Sequence, residues 1–496
     1  MSSSARVRGL LAAICAAALS QAAAPALAQS QTVRRVDRRH DQQELGHRAT
    51  VWQRKGFSRH RARVESLAGD YRRFLSENKT EREVVAAALA MARARGFADL
   101  LASSRPKVAP GARLYAQVHG KLLALVVVGK RPLEEGMHVV ATHVDSVRID
   151  LKQNPVYADG NLGLLQTHYY GGLKKYHWLS QPLELRGVVV KRDGKAVKVA
   201  IGDEPDEPVL VIPDLAIHMV EGSVDRVEGE SVTGEQLDPV VTSTPARAGR
   251  GADPFAAAAA SAIERALGIR VGDLVSAELS LVPAGPAREV GLDRGLIGGY
   301  GQDDRACTYA ALRALMEVSA PQHTAVVVLV DKEEVGSPGN TGARSNLMRR
   351  VVAELIEGKG STSTERAVDR VLSASMVWSA DVSGAVNPHY PEIYEAQNEA
   401  YTGSGVVWDQ SAVHAEVMAY TRRLLDRSGV THQAAGWGKS ERSQGDSGTV
   451  LEHFTRLGMN GLVVGIPLLS MHSSFELVSK VDLYEGYRAY RAFLRD

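Results

Sequence analysis

Five short apolar runs constrain the fold of this chain more than any other feature. They lie at residues 122–128, 138–142, 325–330, 375–379 and 461–466. Each is too short for a stable helix and is continuously apolar rather than alternating, the pattern of a strand covered on both faces. Between and after them come stretches with apolar residues at helical spacing, at 304–318, 345–357, 411–426 and 480–494. A sheet covered on both faces needs helices on each, so the expected fold class is α/β, a three-layer α/β/α domain. Two earlier helices are expected at 62–75 and 80–95, the second opened by a capping box, Thr80 with Glu83 three residues on.

At 496 residues the chain exceeds one compact core, so it divides into domains or carries an insertion. The texture changes over 151–272. Strand-like pieces at 183–191, 197–201 and 209–212 are separated by Gly, Asp and Pro turns, and an Ala-rich helix follows at 255–267. This stretch reads as a smaller β-rich insertion dividing the α/β domain into 61–150 and 273–496. The chain shows no fixed-period repeat and no Gly-rich phosphate loop.

The N-terminus has its own pattern. Arg6 and Arg8 precede an apolar stretch at 9–19 and the small-residue site Ala26-Leu27-Ala28. That order is the one of a secretory signal peptide, so residues 1–28 are expected to be removed and the product to be periplasmic or secreted. Residues 29–60, rich in Arg, Gln and His, are expected to form a mobile leader. The two signal arginines account for the formal charge of +2, from 59 basic and 57 acidic residues. With no basic field, no nucleic-acid partner is expected, and with no later apolar run of spanning length, no membrane association after signal removal. Beyond the signal only Cys307 remains, so no intramolecular disulfide is expected; its apolar helical surroundings suit core packing better than a nucleophile.

Chemistry concentrates where the apolar runs end. His143 and Asp145 follow the run closing at Thr142, Asp331-Lys332-Glu333-Glu334 follows 325–330, and Asp381 follows 375–379. Asp303-Asp304 opens a helix, and His472 comes just after 461–466 and a turn. Singly, each has an ordinary explanation: a satisfied polar group, a helix cap or a solvated loop acid. Together they are different, because groups at the carboxyl ends of strands in an open α/β sheet converge on one crevice. A mixture of imidazole and carboxylate is a donor set that divalent zinc accepts.

Five segments, read in order, resemble the aspartyl aminopeptidase family of dinuclear zinc metallopeptidases. They are Thr142-His143-Val144-Asp145-Ser146, Asp303-Asp304-Arg305, the seven residues from Asp331 to Ser337, Ser379-Ala380-Asp381 and Leu469-Ser470-Met471-His472-Ser473. Tyr170-Gly171-Gly172, Trp178, Leu215-Ala216-Ile217-His218 and Gly234-Glu235 add to the match, which runs from about residue 67 to the C-terminus. The resemblance implies a zinc-peptidase catalytic domain interrupted by a β-rich dimerisation domain. It gives His143, Asp303 and Asp381 to one zinc and Asp303, Glu334 and His472 to the other, with Co or Mn as possible substitutes. Asp145 is then the partner that fixes the His143 ring. Glu333 is the general base that takes the proton of a zinc-activated water and passes it to the departing amine.

The same resemblance implies an aminopeptidase acting on peptide substrates as a homo-oligomer, dimers building a dodecamer; its export is expected from the N-terminal signal pattern, in which the chain departs from the family. His218 would enter a neighbouring protomer's site. Asn398 stands where members that favour acidic N-terminal residues carry a Lys, so the charge-assisted pairing that selects such residues is weakened. Two other functions keep the same residues: a carboxypeptidase or deacylase with the same metals, and a catalytically silent peptide-binding or assembly protein. Nothing in a silent role requires Glu333 beside the metals.

Overall fold

The computed structural model describes residues 49–496 except 104–105, 217, 219–231, 248, 250, 410–413 and 437–447. The signal expected over 1–28 and most of the leader expected over 29–60 therefore lie outside the described residues. The last part of that leader is corrected: Val51 and Phe57 are buried, and the Val51 N–H donates to the Gly403 carbonyl at 2.7 Å. Two apolar residues six apart make no periodic pattern, which is why this packing left no trace in the sequence.

A nine-stranded sheet forms the centre. Four neighbouring strands run parallel in it, in the order Thr324–Val330, Met137–His143, Met376–Ser379, Asn460–Gly465. Beyond the first of them Leu122–Val127 and Arg113–Val118 continue the sheet antiparallel. Alternate side chains serve two cores. Val140, Val327, Leu329 and Trp378 pack with the helices Arg61–Glu77, Gln302–Met316 and Lys480–Arg495 on one face, where Cys307 is also buried. Val139, Ala141, Val326 and Val328 pack with Leu347–Gly358 and Glu365–Ala374 on the other. Each fully buried Val or Leu contributes about 1.5–3 kcal/mol, which is why both faces of these strands are apolar. The three-layer α/β/α expectation is met, and Thr80 with Glu83 caps the helix Glu81–Ala94.

A second, six-stranded antiparallel sheet comprises, in order, Ala196–Ile201, Leu183–Val190, Ala277–Pro283, Arg148–Asp159, Leu162–Tyr170 and Val240–Thr242. It has its own core around Trp178, Leu185 and Leu281, with the helix Pro254–Leu267 against it. The sheet begins before residue 151 and takes in a strand after 272. Pairing sets its limits, whereas the change of sequence texture follows the loops. A five-stranded sheet, unforeseen from the sequence, runs Arg288–Val290, Leu296–Gly299, Glu476–Ser479, Pro467–Leu469, Ser383–Gly384. No helix among the described residues is long and apolar enough to cross a membrane.

Candidate metal centre

The four parallel strands deliver their carboxyl ends to one edge, where the sequence changes from apolar to ionisable. His143 is the last residue of Met137–His143, and Asp381 lies two residues past Met376–Ser379. Glu333 and Glu334 lie in the turn after Thr324–Val330, between Lys332 at φ 65° and Gly336 at φ 84°. Asp303 opens the helix Gln302–Met316, and His472 follows the strand Pro467–Leu469 with a φ of 61°. Left-handed non-glycine residues are uncommon and concentrate at sites where surrounding structure over-determines the backbone.

Two groups of potential ligands result, His143 with Asp303 and Asp381, and Asp303 with Glu334 and His472. Within each, the donor atoms lie within 4.8 Å of one another. His143 Nε2 is 3.1 Å from Asp303 Oδ1 and 3.7 Å from Asp381 Oδ1. His472 Nε2 is 3.2 Å from Asp303 Oδ2 and 3.3 Å from Glu334 Oε2. Asp303 thus presents one oxygen to each imidazole.

Both rings are oriented in the same way. The Nδ1 of His143 pairs with the Asp145 carbonyl at 3.0 Å, and the Nδ1 of His472 with the Gly172 carbonyl at 2.7 Å. With Nδ1–H donating to a carbonyl, the lone pair of Nε2 faces the carboxylates. The Asp145 carboxylate lies farther from His143, at 3.5 Å. Its oxygens instead accept the N–H groups of Glu333 at 3.1 Å and Glu334 at 3.2 Å, and the Tyr170 hydroxyl at 2.8 Å. Asp145 therefore orients the ring through its main chain, while its carboxylate pins the Glu333-Glu334 turn.

The charge balance favours a cation. Asp303, despite burial, is held well below the usual carboxylate range by hydrogen bonds from both imidazoles. Asp381 and Glu334 each meet only one imidazole, and burial and the Asp303 charge push both up. Burial pushes Glu333 up to about 8, His143 opposing and Asp381, Asp145 and Asp303 adding to it. The rings respond in the opposite sense. Burial works against protonated His143, but Asp145, Asp303 and Asp381 outweigh it, and His472 is pushed up to about 10 against burial by Asp303 and Glu334. Glu334 Oε1 is buried with no hydrogen-bond partner, an orphaned acceptor beside the group that could use it. An N/O donor set, crowded carboxylates and an orphaned oxygen all fit divalent zinc.

The centre opens into a cleft of about 300 Å³ lined by all five potential ligands, Glu333, and a wall including Val382, Ser383, Thr449, Val463 and Met471. Neither His218 nor Asn398 is among its lining residues. His218 is exposed. Asn398 is exposed too, its Nδ2 donating to Glu395 at 2.6 Å while its carbonyl accepts the Gly436 N–H at 2.5 Å. One residue near the centre went unnoticed in the sequence: Glu476, 2% exposed, which accepts the N–H groups of Asp303 and His472. Its four-residue spacing from His472 carries no signal that separates it from any other acid at a strand start.

Residues 74–494 match the family model described as Aminopeptidase I zinc metalloprotease (M18). A probable M18 family aminopeptidase 1 from Clostridium acetobutylicum is 37% identical over 446 residues, which cover 87% of this chain and 95% of the relative. The crystal structure of an M18 family aminopeptidase from Thermotoga maritima superposes with a TM-score of 0.85 at 37% identity, covering 91% of this chain and 99% of that one. The Saccharomyces cerevisiae mApe1 dodecamer, at 22% identity and a TM-score of 0.70 over 87% of this chain and 97% of that one, shares the fold. The expected export is corrected by the first two. They are matched over 95% and 99% of their own lengths, which leaves almost nothing in them to correspond to a secretory leader, so the periplasmic or secreted location is withdrawn.

Proposed function

The chain belongs to the M18 family of aminopeptidase I zinc metalloproteases, and from that premise we propose that it removes single N-terminal residues from peptides at a two-zinc centre. The observation that carries the reading is the position of Asp303, one oxygen toward His143 and the other toward His472. His143, Asp303 and Asp381 would hold one ion, and Asp303, Glu334 and His472 the other. Zinc there would supply Lewis acidity, polarising the scissile carbonyl and easing deprotonation of the attacking water.

The remaining work falls to the chain. Asp145 holds the Glu333-Glu334 turn through two N–H groups, so the two neighbouring carboxylates diverge to separate tasks. Glu333, lining the cleft beside the ligand groups, is placed to take a proton from the nucleophile and return it to the departing amine. Val382, Val463 and Met471 give the cleft an apolar wall for the substrate side chain.

The protein acts as a homo-oligomer in this reading. Exposed His218 and the neighbouring Leu215, 63% exposed, would then meet another copy, with His218 contacting substrate in its cleft. The dodecamer of the yeast protein supports the assembly by fold alone. The test is hydrolysis of free and N-acetylated peptides by the zinc-loaded protein, with and without a chelator. Cleavage of the free form alone, abolished by the chelator, is expected; release of C-terminal residues or acyl groups would overturn the aminopeptidase reading.

A further inference from the structure

We infer that Glu476 is a positioning residue for the metal position shared by Asp303, Glu334 and His472, tying the main chains of Asp303 and His472 into one frame. Glu476 opens the strand Glu476–Ser479, which pairs antiparallel with Leu296–Gly299, Gly299 standing opposite Glu476. Three residues after Leu296–Gly299 the chain reaches Gln302 and then Asp303. The two segments interlock in both directions. Gln302 Nε2 donates to the main-chain carbonyl of Glu476 at 2.5 Å, and Glu476 Oε2 accepts the N–H of Asp303 at 3.1 Å. The other oxygen, Oε1, accepts the N–H of His472 at 2.8 Å.

Both oxygens of this carboxylate are therefore committed to main-chain donors. Glu476 belongs to neither ligand group and does not line the cleft, so its action is indirect. Its hydrogen bonds matter because the His472 loop has little local preference for its own shape: Ser470 and His472 both stand at φ 61° without being glycine. A residue 2% exposed leaves no room for water to replace it there. Buried acceptors that orient ligand-bearing segments typically change metal affinity 10- to 100-fold when altered.

The inference rests on the two-zinc reading, and its test separates the two. Glu476→Gln preserves volume but turns one acceptor into a donor facing an N–H group. Zinc stoichiometry and affinity are measured by dialysis against buffered zinc, alongside the visible spectrum of the cobalt-loaded protein. Wild type is expected to hold two equivalents. E476Q is expected to keep one tightly, to bind the second about 10- to 100-fold more weakly and to show an altered cobalt spectrum. Its kcat should fall at least about tenfold with KM within about threefold. Two equivalents at wild-type affinity with an unchanged spectrum in E476Q would overturn the positioning role alone. Fewer than two in wild type would overturn the two-zinc reading and this inference with it. If circular dichroism shows E476Q unfolded, Glu476→Asp takes its place. Aspartate keeps the buried carboxyl group but is one methylene too short to reach both N–H groups, so the same weakening is expected, and unaltered zinc binding would refute the role.

Discussion

Glu333 and Glu334 are adjacent, and what separates their roles is the hold on their main chain. With both N–H groups fixed on Asp145, the side chains cannot exchange places, and Glu334 alone approaches His472. Glu333→Gln keeps shape and removes the proton acceptor, so kcat is expected to fall by about 10² to 10⁴ with both zinc equivalents retained. Glu334→Gln is expected instead to lose metal, since it removes charge from the ligand set. Comparing zinc content and turnover of the two variants checks the division; turnover near wild type in E333Q would refute it. At this scale His143, Glu334 and Asp381 were legible because they follow the ends of apolar runs, where an acid or imidazole stands out, while Asp303 at a helix start and His472 past a turn were legible from the ordered segments around them. Glu476 was not, because its work is done on main-chain N–H groups that any sequence supplies.

Among the elements, Met137–His143 shows how one strand combines scaffold and site. Its far end carries His143; near its start His138 is buried, its ring stacked on Phe493 at 4.5 Å and on His323 at 4.6 Å. The His138 Nδ1 meets the Phe493 carbonyl at 2.8 Å, and burial lowers its pKa from the ordinary 6.5 to about 4. The unfolded chain binds this proton below about pH 6.5 and the folded chain only below about 4. Stability contributed by neutral His138 is therefore complete above pH 6.5 and is lost as pH falls toward 4, by roughly 3 kcal/mol at most. Urea unfolding at pH 7 and 4.5 should show this loss in wild type and a smaller one in His138→Phe; equal losses would count against it. The parallel strands were readable because burial on both faces makes them continuously apolar. The five-stranded sheet was not: its strands are two to four residues long, and distant pairing rather than local pattern creates them.

At the scale of the whole molecule, the two larger sheets must be joined, and the join is ionic as well as apolar. Lys79, just before the capped helix Glu81–Ala94, is buried and places Nζ 2.6 Å from Glu184 Oε1 in the six-stranded sheet. The same Nζ donates to the carbonyls of Pro283 and Gly285 at 2.9 Å. Glu184 Oε2 accepts Arg186 Nε at 2.6 Å, and Arg186 Nη1 reaches back to Glu83 at 3.1 Å. Four fully or nearly fully buried charges are thus balanced in pairs across the junction. Removing one partner leaves a cation in a low-dielectric setting, which costs far more than the pair contributes. Glu184→Ala strands Lys79, while Arg186 keeps Glu83 and Asp203; the substitution is expected to destabilise the junction by about 3–5 kcal/mol, read as an earlier urea transition. Zinc stoichiometry should stay at the wild-type value, because neither Glu184 nor its partners touch the ligand groups. That pattern is the reverse of the one expected for Glu476→Gln, in which metal is lost and the fold is kept. Unchanged urea unfolding in E184A would mean the sheets are held by apolar packing alone, and coupled loss of zinc would mean the junction and the metal centre form one cooperative unit.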